Sequence, residues 1–150
     1  MSEDTRHIPL ISSGVAGPLG ILHLPRLWQK ASLGAAGKLH GNYHACGKGF
    51  DQMVLDGLKI GREDFMAFIG SEKPSYQAME RWILEQSGGR VDPLVVAGLN
   101  RSIAAHTHDP TTRAEILSDC GVDSEGAALD AVTLNNLDDW QAFHGAIHGG

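Results

Sequence analysis

Cysteine is scarce in this chain: among 150 residues only Cys46 and Cys120 carry thiols. Two isolated cysteines make no disulfide framework and no finger-type set of zinc ligands, and both are expected as free thiols in a reducing compartment. Positive charge is also in short supply. Twelve Lys and Arg against 18 Asp and Glu give a formal net charge of −6, with no basic stripe to neutralise phosphates, which argues against a nucleic-acid partner. No apolar run approaches the roughly 20 residues of a membrane helix, and residues 1–24 show no charged-then-apolar leader. No membrane partner and a cytoplasmic location are therefore expected. No glycine-rich phosphate cradle or dinucleotide fingerprint follows a strand pattern, which argues against a nucleotide cofactor. Internal repeats and sustained period-two alternation are missing too, which disfavours solenoid and β-rich architectures.

The chain that remains is long enough to bury a core without staples, and its apolar residues, 42% of the total, recur at helical spacing. Pro25 suits a first helical turn, and Leu24, Trp28, Ala31 and Ala35 predict a helix from Leu24 to near Lys38. A second helix is expected over Phe50–Leu58, with Asp51 placed to cap or charge its N-terminus. A third runs from Arg62 to Ile69 and is stopped by Gly70; a fourth spans Ser75 to Gln86. Asp92-Pro93 and Asp109-Pro110 each read as an N-cap followed by proline at the first position. After a polar connection from Gly121 to Ala131, Leu134, Leu137, Trp140, His144 and Ile147 mark a last amphipathic helix with Asp138 and Asp139 in its first turn. The expected fold is all-α: a compact single domain of about six or seven short helices over residues 24–150, preceded by an extended, Gly- and Pro-rich N-terminal arm over residues 1–23. Trp28, Trp82 and Trp140 are its expected core anchors.

Reactive side chains crowd the stretch from Leu39 to Asp51. His40 or His44 is a candidate general acid or base, assisted by the Tyr43 hydroxyl and oriented by Asp51. A competing use of the same loop is a divalent metal held by His40, His44 and Cys46. Cys46 otherwise reads as a small buried thiol, preferred to a nucleophilic pair with His44, and is counted with the substrate-binding residues. His23, Arg26, Trp28 and Lys30 lie just upstream; the two cations can clamp a carboxylate or phosphate, or form internal salt bridges. Trp140 and His144 on the last helix are placed to complete the site. His106 and His108 read as structural, beside a helix C-terminus whose dipole favours them.

Three segments, Leu19-Gly-Ile-Leu-His-Leu-Pro-Arg-Leu-Trp-Gln-Lys, Ala36-Gly-Lys-Leu-His-Gly-Asn-Tyr-His and Phe50-Asp-Gln-Met, resemble in order the motifs of the bacterial family DUF5069, a domain of unknown function. The likeness covers roughly residues 19–105 and implies a shared domain without implying an activity. Gln29 stands where many relatives have aspartate before the motif lysine, and the segment from Asp130 to Trp140 falls outside the likeness.

Function is expected to be that of a small-molecule enzyme, a lyase, isomerase or hydrolase without an organic cofactor. It acts through histidine acid–base chemistry on a small, largely apolar substrate with at most one anionic or oxygenated group. The alternative is a metal- or ligand-binding helical module without turnover, and a homo-oligomer is compatible with either. On this reading Asp51→Asn changes a pH–rate profile more than it changes stability, because an orienting carboxylate stabilises an imidazolium.

Overall fold

Aspartate and proline punctuate the chain where their chemistry directs. The computed structural model describes residues 6–123 and 130–149. Within them lie seven helices: α1 Leu24–Ala35, α2 Phe50–Leu58, α3 Arg62–Glu72, α4 Tyr76–Gln86, α5 Pro93–Ala105, α6 Pro110–Asp119 and α7 Ala131–His148. The Asp92 side chain accepts from Leu94 N and that of Asp109 from Thr112 N, each ahead of a proline that begins the helix. Among the described residues no strand forms; His7–Leu39, Ala16–Leu22 and Thr107–Asp130 make isolated bridges.

Three boundaries differ from the spacing. α1 ends at Ala35 because Gly37, at φ 70°, lets Lys38 N donate to Leu33 O and Gly37 N to Gly34 O, a Schellman closure. α3 runs through Gly70 to Glu72 and is closed by Lys73 in the left-handed conformation, immediately before Pro74, which cannot continue the helix. α7 begins at Ala131, capped by the Asp130 side chain on Thr133 N. Asp138 and Asp139 therefore sit beyond its first turn. Most of the polar connection read between Gly121 and Ala131, residues 124–129, lies outside the described residues.

Ile21, Leu24, Leu27 and Ala31 share one core with Val54, Leu55, Phe65, Ile69, Met79, Ile83, Leu99 and Ile103. α1 packs on α3, α2 on α5, and α7 on α5 and α6. At the α2–α5 crossing, Leu99 lies 3.2 Å from where a Cβ on Gly57 would stand, so the glycine lets the Leu99 side chain pack directly on the α2 backbone. Two of the three tryptophans are partly buried anchors: Trp82 stacks on Phe68 at 4.5 Å and Trp28 meets Tyr76 edge-on. Trp140 is not one, being 59% exposed beside exposed Phe143 and Ile147.

The arm is extended but tightly held. Asn100 of α5 accepts from Leu22 N and donates to Gly20 O, Glu80 of α4 accepts from Leu19 N, and Gln29 of α1 accepts from Ile11 N. Gln29 thus binds the arm's backbone through an amide oxygen. Gly17 sits so close to Tyr76 that a Cβ there would lie 2.4 Å from the Tyr76 hydroxyl, which donates to Glu80. Gly17→Ala is expected to destabilise the fold by about 1–3 kcal/mol. Thermal melts of Gly17→Ala, Tyr76→Ala and the double variant check it: the glycine change should cost far less once the phenol is gone.

Candidate functional site

His23 is the residue on which the site turns. It precedes α1 in the left-handed conformation, φ 71°, a state that L-residues enter at a cost of roughly 1–2 kcal/mol. The turn points its imidazole inward, where it is 2% exposed. Nε2 lies 2.6 Å from Asp51 Oδ1 and Nδ1 2.8 Å from Ser13 Oγ. The other Asp51 oxygen accepts from Lys30 Nζ and from Gly47 N, both at 2.6 Å. Burial opposes ionisation of Asp51, but the hydrogen bond from His23 and the charge of Lys30 outweigh it and hold the carboxyl well below the usual range. Burial likewise lowers the His23 imidazole, against the opposing pull of Asp51. Neutral His23 then donates its Nε2 proton to Asp51 and accepts the Ser13 hydroxyl at Nδ1. Ser13, His23 and Asp51 carry the residue types of a nucleophilic triad, yet Ser13 is 1% exposed and does not line the cavity below. It braces the imidazole.

A second buried pair stands beside the first. Arg26 donates to Asp139 through both terminal nitrogens, at 2.6 and 3.1 Å, and to the carbonyls of Pro9 and Ile11. The Tyr43 hydroxyl also donates to Asp139. Burial, followed by the charge of Asp139, raises the phenol far above its ordinary value, so Tyr43 remains protonated. The loop between these pairs is clamped by Arg62 of α3, which donates to the carbonyls of Cys46 and Gly47 and to Gln52.

Together these elements enclose a cavity of about 350 Å³, within the ~300–1,000 Å³ common for small-molecule sites. His23, Arg26, Lys30, Tyr43, His44 and Asp51 line it, joined by Asn42, Lys48, Phe50, His106, His108, Asn135, Asp138 and Asp139. Six of the residues singled out from the sequence therefore meet, and five do not. His40 lies off the cavity, its Nδ1 accepting from Asn42 N. Trp28 faces α4 and donates to Pro74 O. Cys46 is partly buried behind the loop, where burial raises its thiol. Trp140 and His144 are exposed, the latter's ring beside His148. Among the described residues no group of three His, Cys, Asp or Glu side chains is arranged to hold a metal.

The structure adds what local reading missed. His106 and His108, set aside as structural, line the cavity, His106 edge-on to Phe50 at 5.4 Å and His108 2.8 Å from Asn135 Oδ1. Asp51 is not the cap of α2; Gly49 holds that position without a side-chain bond, and the carboxylate turns to His23 rather than to the loop histidines. Nothing in the spacing pointed to Asp139, which lies off the apolar stripe read from the sequence and is buried because Arg26 matches it.

Comparison with known proteins gives two findings. The model of a family described as "Domain of unknown function (DUF5069)" matches residues 12–134, so the matched region reaches past Asp130 to the first turn of α7. No curated protein matches the chain.

Asp51 is therefore first a stability element. Asp51→Asn should cost about 3–5 kcal/mol by leaving Lys30 buried without its counter-charge, and Lys30→Met added to it should recover part of that loss. An unfolded chain protonates His23 and Asp51 at their ordinary values while the folded chain resists. Stability should thus be full at neutral pH, fall below about 6.5 through His23, and fall again below about 3.9 through Asp51. Denaturant titrations across this range check both stages, with His23→Gln flattening the first.

Proposed function

We propose a function for a chain that belongs to the DUF5069 family: an enzyme that moves protons on a small polar molecule bound in this cavity, with His44 and His106 as the exchanging groups. One observation carries the reading. The charged groups of the inner wall are committed to one another, Lys30 and His23 to Asp51 and Arg26 and Tyr43 to Asp139. His44, from the loop, and His106, at the end of α5, line the same cavity, and among the described residues neither ring has a hydrogen bond. Committed pairs make a rigid, preorganised wall, while an imidazole without a protein partner is available to accept or deliver a proton.

In this arrangement one histidine takes a proton from the substrate and the other returns one at a different atom, as a lyase or isomerase requires. A hydrolase would use the first to activate water. Tyr43 serves as a fixed donor to Asp139, and His23 supports the wall through Asp51. The substrate is polar rather than largely apolar. Trp28, expected at the site, faces α4, leaving Phe50 and the Tyr43 ring as aromatic surface of a cavity otherwise lined by charged and polar groups.

Both histidines are exposed, so asparagine at either position should leave the melting temperature unchanged. Incubating the protein with a mixture of small polar metabolites and following each by mass spectrometry should reveal a compound that the wild type converts. His44→Asn and His106→Asn should each slow the conversion by about 10²–10⁴-fold. Equal conversion by the wild type and both variants would remove the acid–base assignment. Conversion by none would leave the binding module without turnover.

A further inference from the structure

Two charged groups at the cavity are left without a partner of their own. Lys48, in the loop ahead of α2, and Asp138, on α7, both line it, and neither takes part in an ion pair or hydrogen bond among the described residues. Nor do they pair with each other. They come from different walls, one from the Gly47–Phe50 segment and one from the second turn of the last helix. The neighbouring acid and base show the contrast: Asp139 is bound by Arg26 and Tyr43, and Lys30 by Asp51. A cavity whose inner charges cancel internally and whose outer wall carries, among the described residues, a cation and an anion that neither hydrogen-bond nor ion-pair is complementary to a ligand with both signs.

Resting on the reading of this cavity as the ligand site, we infer that its substrate is a small zwitterion, a molecule carrying a carboxylate for Lys48 and a protonated amine for Asp138. His44 and His106 line the same cavity as these two charges. A plain organic anion would leave Asp138 repelling it, and a plain amine would leave Lys48 doing so; each like charge in a partly enclosed site lowers affinity for the wrong ligand. Asp138 is sensitive to its surroundings, since partial burial and the adjacent Asp139 raise its carboxyl above the ordinary value. An ammonium group bound there relieves that repulsion.

The test uses the full chain and a defined panel: glycine, β-alanine and the standard amino acids, each beside its N-acetyl and its methyl-ester derivative, read by thermal shift and calorimetry. At least one free amino acid should bind, and capping either charge should weaken it tenfold or more. Lys48→Met should weaken the free acid while leaving the methyl ester unchanged, and Asp138→Asn should do the same with respect to the N-acetyl form. Both side chains are exposed, so circular dichroism should show the variants folded. The inference is overturned if no zwitterion binds, if capped and free forms bind alike, or if both variants bind as the wild type does. A zwitterion that binds without ever being converted keeps this inference and removes the enzymatic one; conversion of a compound lacking either charge does the reverse.

Discussion

The Asp51 carboxylate ties together three points of the chain. One oxygen receives His23, at the junction of arm and α1; the other receives Lys30, two turns into α1, and the backbone N–H of Gly47 in the loop. A carboxylate buried to this extent is tolerated only when its acceptor capacity is filled. The reverse also holds, because Lys30 and His23 are themselves buried. Position, charge state and tautomer are thus set jointly, and the left-handed turn at His23 is retained because the bonds at the imidazole compensate for it. The loop then needs little regular structure of its own. Its carbonyls are fixed from outside by Arg62 and its amide by Asp51.

Arg26 plays the matching part for the last helix. α7 is amphipathic in an unexpected sense: Trp140, Phe143 and Ile147 are exposed while Asp139 is 3% exposed. Hydrophobic patterning alone would have turned the helix the other way. A guanidinium already committed to the arm carbonyls of Pro9 and Ile11 supplies the two-pronged partner that makes burial of Asp139 tolerable. Placing Asp139 inward brings Asp138 and Asn135 to the cavity.

These two clusters explain what could and could not be read from the residues in order. The helices were legible because their signals are local: Asp92-Pro93 and Asp109-Pro110 fix two starts within a few residues, and the spacing of Leu24, Trp28, Ala31 and Ala35 marks α1, although only Leu24 and Ala31 of that set are fully buried. The loop was legible as a place because it gathers uncommon side chains in a short span. The partners were not. His23 reaches Asp51 over 28 positions and Arg26 reaches Asp139 over 113, and no periodicity encodes a pairing at that range. His106 and His108 looked like residues at a helix end, which they are; the end happens to open on the cavity. Cys46 and His40 show the converse, since neighbours of His44 in sequence need not share its surroundings in an irregular loop with no fixed period.

The bond between Arg26 and Asp139 also bears on the order in which the molecule is assembled. Contacts between residues so far apart repay the entropy of closing the intervening chain only after that chain has become compact. α1 to α5 supply most of the buried apolar residues, so a core can condense before the guanidinium meets its partner on α7. Docking of the last helix is what completes the burial of the guanidinium against Asp139. The cavity is accordingly whole only when the segments around His23 and Asp139, far apart in the chain, have met across it.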